Sequence, residues 1–144
     1  MNIEKIKNNK VFCLHPWVTQ IKDNLGHVKL CPAKNNFNAE TKDLRLAWNS
    51  DSIKQIRTNM MTGCRTDEMC EGCYTLDEQS IPSERTKSLH LVPIEKIEEL
   101  LNDTSEDGTI GRDPEYLELS LDIQCESLCV QCNRMNSQKW KDTT

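Results

Sequence analysis

Apolar and polar positions along this chain follow two different periods. Between residues 51 and 61, Ile53, Ile56 and Met60 recur at i, i+3 and i+7, the spacing of one helical face. Ser50 or Asp51 is placed to cap the start of that helix, and Gly63 to stop it. A second helix is predicted over 93–101, with Pro93 in its first turn and Ile94, Ile97, Leu100 and Leu101 on its apolar face. The clearest strand follows, where Leu117, Leu119, Leu121 and Ile123 alternate with Glu118, Ser120 and Asp122. Two shorter strands are predicted within 17–31. Trp17, Val18 and Ile21 precede Asp23-Asn24-Leu25-Gly26, and Val28 and Leu30 follow; such Asn and Gly clusters mark hairpin turns.

The remaining stretches carry neither period. Residues 1–12 form a polar lead-in ending in Val11-Phe12, and 32–43 a polar loop. Residues 64–85 read as a cysteine-rich turn and loop, and 102–114 as a linker rich in Asn, Asp, Ser and Gly. No internal repeat is present. The expected fold class is α+β. The expected organisation is a small cysteine-rich domain of a β-hairpin plus helices over 1–101, a linker over 102–114, and a final unit over 115–144 built on the strand near 117–123.

Composition narrows the function classes. With 36% hydrophobic and 5% aromatic residues, the supply for a large core is thin, and a chain of 144 residues of this kind gains from a staple. Eight cysteines are the candidates. The net charge is -5 with no basic stripe, which argues against nucleic-acid binding. The start of the chain lacks the apolar run of a signal peptide, and no stretch reaches the roughly 18 apolar residues of a membrane span. A cytoplasmic protein is expected, and in a reducing compartment cysteines serve as metal ligands more often than as disulfides. The even count leaves a disulfide framework as the alternative.

The cysteines fall into two sets. Cys125, Cys129 and Cys132 have C-x3-C-x2-C spacing directly after the predicted strand. Three thiolates on one tight loop can hold three corners of an iron–sulfur cubane and leave one iron open to a small molecule. The alternative is three zinc-binding or buried thiols. Cys13 and Cys31 stand at the two ends of the predicted hairpin, with Gly26 between them, and Cys70-Glu-Gly-Cys73 is a C-x2-C knuckle. Four thiolates from such a two-plus-two set satisfy either tetrahedral zinc or a complete [4Fe-4S] cluster, and spacing does not separate these. Cys64 is expected to be a spare thiol. Trp17 and Trp48 read as core residues. His15, His27 and His90 read as packing or surface histidines, with His15 near enough to Cys13 to serve it as a ligand or outer donor.

The strand followed by Cys125, Cys129 and Cys132 resembles the signature of the radical S-adenosylmethionine (radical SAM) family. In that family the open iron chelates the amino and carboxylate groups of S-adenosylmethionine, whose reductive cleavage supplies a 5′-deoxyadenosyl radical. The resemblance implies that Leu117–Ile123 is the first strand of a (β/α) barrel and that Asn133 to Trp140 begins its first helix. Where the family usually carries an aromatic residue before the third cysteine, this chain has Gln131.

The earlier set, with Cys13-Leu-His-Pro-Trp17 at its start and Leu46-Ala-Trp48-Asn-Ser50 leading to Arg57, resembles the SPASM and shorter twitch domains of that family over roughly 11–78. It implies an auxiliary [4Fe-4S] cluster on Cys13, Cys31, Cys70 and Cys73, and a peptide or other macromolecular substrate. Only twelve residues follow Cys132, so the barrel is expected to be incomplete and catalysis is not expected from this chain alone; it reads as an N-terminal fragment, a truncated reading frame, or one piece of a split enzyme whose barrel a second chain could complete. The strand is expected to be poorly anchored, with its leucine face exposed unless a sheet or partner covers it. Two other functions compete: a zinc-stapled binding module without catalysis, and a two-cluster electron carrier.

Overall fold

A computed structural model describes residues 3–33, 37–121, 125, 127–134 and 137–143. The fold is α+β: eight helices and a three-stranded mixed sheet among the described residues. The element order is α1 (Ile3–Asn8), α2 (His15–Val18), β1 (Thr19–Lys22), β2 (Val28–Lys29), α3 (Leu44–Trp48) and α4 (Asp51–Thr62). Then come α5 (Asp67–Glu78), α6 (Glu84–Ser88), α7 (Ile94–Asn102), β3 (Tyr116–Leu119) and α8 (Gln138–Asp142).

The two predicted helices are present. In α4 the face of Ile53, Ile56 and Met60 is buried, Ser50 is the N-cap, and Gly63 closes the helix in the left-handed region at φ 79°. In α7 Ile97, Leu100 and Leu101 are buried, and Pro93 stands just outside as the N-cap. The hairpin is present but shorter than predicted, because Trp17 and Val18 belong to α2. Its turn is held by the Asp23 carboxylate, which accepts from the backbone N–H groups of Leu25 (3.0 Å) and His27 (2.9 Å).

The sheet order is β2-β1-β3. β1 pairs antiparallel with β2 and parallel with β3, in the register Thr19↔Tyr116 to Lys22↔Leu119. The late strand is therefore anchored on the hairpin, yet no side chain of β3 is covered: Leu117 is 54% exposed and Leu119 44%. Ile123, predicted at the end of this strand, lies outside the described residues.

The core lies between α2, α4, α7 and the hairpin, around a fully buried Trp17. The Trp17 ring packs on Phe12 at 5.1 Å, and its indole N–H donates to Thr104 Oγ1 (2.9 Å). Trp48, also buried, donates to the Arg112 carbonyl (2.7 Å). Both tryptophans are core residues, as expected.

Beyond the short helices α1, α2 and α3, which the sequence reading did not foresee, two longer stretches differ from it. Residues 64–85, expected as turn and loop, contain α5 and α6. Cys70, Cys73, Tyr74 and Asp77 lie at i, i+3, i+4 and i+7, a helical face that becomes visible once cysteine is counted as an apolar residue. Gly72 and Glu71, the turn-like residues, are on the exposed side. Residues 102–114, expected as a linker, are tied into the core. Thr104 and Ile110 form a β-bridge, Ile110 is buried, and Asn49 binds it from both sides through its amide and carbonyl.

Candidate metal centre

Three separate parts of the chain bring the first cysteine set together. Cys13 precedes α2, Cys31 follows β2, and α5 carries Cys70 and Cys73 one turn apart, so both thiols lie on the same helical face. Cys13, Cys31 and Cys70 are buried and Cys73 is half-buried. Their proximity shows in their acidity. Burial pushes the Cys13 thiol up to about 11, and the Cys73 thiol adds to this. Burial likewise raises Cys31 to about 12, reinforced by Cys13, Cys73 and Cys70. Cys70 also rises to about 12, through burial and then through Cys13 and Cys73. A buried thiolate is poorly solvated, and each further thiolate nearby repels it. Without a cation in their midst, Cys13, Cys31 and Cys70 stay protonated at neutral pH.

The surroundings are nonetheless built for sulfur anions. The His15 backbone N–H, in the first turn of α2, bonds Cys13, and the Ala33 N–H donates to Cys31 Sγ (3.3 Å). Ser88 Oγ accepts from Leu14 N (3.0 Å), donates to the Arg85 carbonyl (2.7 Å), and lies 3.4 Å from Cys13 Sγ. With its one proton committed to Arg85, Ser88 takes the proton of the Cys13 thiol; on ionisation the hydroxyl can turn and donate to the thiolate instead. The Tyr74 hydroxyl bonds Cys70 and holds its charged form down in pKa. Arg85, nearly buried on α6, lowers both Cys13 and Cys70 through its charge. Its own geometry is locked by Asp77 Oδ2 (2.6 Å from Nε) and the Phe12 carbonyl (3.1 Å).

The donor set fits a thiophilic metal or an iron–sulfur cluster: four thiols, two backbone N–H groups, and hydroxyl and guanidinium donors. Among the described residues, no three His, Cys, Asp or Glu side chains stand close enough to hold one metal ion.

The sequence reading named the four thiols but missed Tyr74, Asp77, Arg85 and Ser88. They carry no spacing signal, and α6, which supplies two of them, lay in a stretch read as loop. His15 is not a sulfur ligand through its ring. The ring is buried, with Nδ1 on Thr19 Oγ1 (2.9 Å) and Nε2 on Glu84 Oε1 (3.2 Å). Burial lowers its pKa, against the opposing pull of Glu84. Cys64 is exposed, next to Thr62.

The second set is placed differently. Cys125 and Cys129 are exposed and Cys132 is half-buried. The segment folds on itself: Cys132 N donates to the Cys129 carbonyl (3.0 Å), as does the Trp140 indole (3.2 Å), while Ser137 Oγ donates to the Cys125 carbonyl (3.1 Å). No described helix is long and apolar enough to cross a membrane. No family model matches this chain, and no curated protein or solved structure matches it either.

Proposed function

We propose that this chain binds an iron–sulfur cluster through Cys13, Cys31, Cys70 and Cys73. The observation that carries the reading is the meeting of these four thiols, from three parts of the chain, in one largely buried place where Cys13, Cys70 and Cys73 each raise the pKa of a neighbouring thiol. Thiolates held this close would repel one another, and a bound cation reverses that repulsion and makes the ionised form the favoured one. The protein's own part is to hold the ligands: α5 sets two of them at fixed spacing, and the His15 and Ala33 N–H groups orient the other two.

The same reading gives Cys125, Cys129 and Cys132 to a second [4Fe-4S] cluster of the radical SAM type. Their exposure leaves room for S-adenosylmethionine to approach. When bound, such a group supplies reducing electrons and an open coordination position. The chain would then be the cluster-bearing part of an enzyme that modifies a peptide or other macromolecule. Further strands for catalysis, from a second chain, would add beside β3, which is an edge strand of the three-stranded sheet among the described residues.

The test is anaerobic reconstitution with iron and sulfide, followed by absorbance and by iron and sulfide counts. Wild type is compared with Cys70→Ala/Cys73→Ala and with Cys125→Ala/Cys129→Ala/Cys132→Ala. Two clusters predict a broad charge-transfer band that each variant lowers by about half. A colourless protein with one zinc and no sulfide sinks the cluster reading and leaves a zinc-stapled binding module.

A further inference from the structure

A cleft of about 740 Å³ opens between the start of the core segment at Lys10 and Val11 and the helices α5 and α6. Its position and its charge are both unusual for this molecule. The chain as a whole carries a net charge of -5. The cleft is lined by four fixed cations, Lys10, Arg65, Arg85 and Lys87, against two carboxylates, Asp77 and Glu78. Both carboxylates are already engaged: Asp77 with Arg85 (2.6 Å) and Glu78 with Arg65 (3.0 Å). Lys10 and Lys87 face the cleft with no carboxylate partner among the described residues.

The rest of the lining is apolar. Tyr74 forms the inner wall, with Arg65 stacked on its ring at 4.5 Å. Ile81 and Pro82 also line the cleft. They are turned into place by Ser80, the one described non-glycine residue with positive φ (61°), which ends α5. Ile81 is 46% exposed there, an isoleucine left uncovered beside an aromatic wall. An apolar floor with unpaired ammonium groups at its rim is the arrangement that selects a ligand with an apolar body and an acidic end. The volume is in the range of small-molecule sites.

We propose that this cleft binds an amphipathic organic anion, an aliphatic or aromatic carboxylate whose apolar part lies between Tyr74 and Ile81 and whose acid faces Lys10 and Lys87. The site does not depend on the metal reading. It shares a wall with the thiols, however, because Tyr74 and Arg85 face Cys70 on their other side. A ligand there sits next to the cysteine set, separated from it by these two side chains.

The full-length protein, its metal content recorded, is titrated with anilinonaphthalene sulfonate, a fluorescent double ring carrying one anionic group. The expected result is one saturable site, displaced by decanoate and not by inorganic phosphate. Lys10→Glu/Lys87→Glu is expected to weaken binding about ten-fold, since two favourable charge contacts become repulsive. Both lysines are exposed, so circular dichroism should report an intact fold. Ile81→Asp tests the apolar wall independently and should also weaken the probe. Leu117→Ser/Leu119→Ser, on exposed β3, should leave it unchanged. Unchanged affinity in both cleft variants overturns the proposal. So does displacement by phosphate as effective as by decanoate, or loss of the probe in the β3 variant.

Discussion

Arg57 is the most exacting single position in this fold, and Arg57→Lys tests why. The guanidinium is fully buried and has no carboxylate partner among the described residues. Its Nε donates to the Pro16 carbonyl (2.8 Å), one terminal nitrogen donates to Asn49 Oδ1 (2.9 Å) and the Gly108 carbonyl (3.0 Å), and the other donates to the Trp48 carbonyl (2.9 Å). It also lies over the Trp48 ring, 4.5 Å from the centroid. Burial lowers its pKa to about 10, so it stays charged at neutral pH.

A lysine ammonium is a single point and reaches two of these four acceptors at most, whereas the planar fork reaches them all. Each lost bond to a charged donor is worth about 1.5–3 kcal/mol, and the orphaned carbonyls are buried with nowhere to find water. Partial repacking offsets some of this. The expected loss is about 3–4 kcal/mol, a large part of the stability of an ordinary domain. Urea unfolding followed by tryptophan fluorescence reads it: with a slope of about 2 kcal/mol/M the midpoint falls by about 1.5–2 M. The acceptors span α2, the α3–α4 junction and the 104–110 bridge, so hydrogen exchange should accelerate in all three. α2 begins two residues after Cys13, so the cluster uptake proposed above should weaken as well. A midpoint within about 0.3 M of wild type would refute the argument that the fork organises this core.

Two further outcomes follow from the same coordinates. Gly108 has φ 85°, and a Cβ there would overlap the Lys54 carbonyl in the backbone of α4; Gly63 has φ 79° with open space around it. Gly63→Ala should therefore cost only the left-handed strain, about 1 kcal/mol, while Gly108→Ala should cost more than twice that, because α4 cannot move aside; equal losses by thermal unfolding would contradict the geometry. The buried thiols set an alkaline limit on the metal-free protein. Burial raises Cys13 to about 11 and Cys31 and Cys70 to about 12, from 9.0, so their contribution is whole below pH 9.0 and is lost as the pH climbs from there toward these folded values. Reduced, metal-free protein should unfold in this window, and Cys31→Ala should move the midpoint upward; a midpoint that does not respond to Cys31→Ala would separate the transition from the thiols.

What the sequence determined by itself was whatever short-range periodicity carries. α4 and α7 declare themselves through apolar residues one turn apart and through Ser50, Gly63 and Pro93 at their ends. The hairpin declares itself through the Asp23–Gly26 turn, and β3 through its alternating leucines. The pairing of the cysteines was legible as spacing, one at each end of the hairpin and two in a C-x2-C run. Its setting was not. Cys13 and Ser88 are joined across 75 positions, Arg85 and Phe12 across 73, and nothing local in either partner announces the other.

Tertiary structure also decided the points where composition misled. The 102–114 stretch has the residues of a linker, but one buried isoleucine, Ile110, and one buried cation, Arg57 binding the Gly108 carbonyl, draw it into the core. Residues 67–78 carry cysteines and a glycine that read as turn chemistry, yet burial of Met69, Cys70 and Tyr74 on one side makes a helix of them. The parallel pairing of β3 with β1 joins strands about a hundred residues apart in the chain, and loop closure of that length leaves no mark in local sequence. The physical reason is common to all three. Local pattern reports which face of a segment prefers to be buried, while the partner that buries it is chosen by the packing of the whole chain.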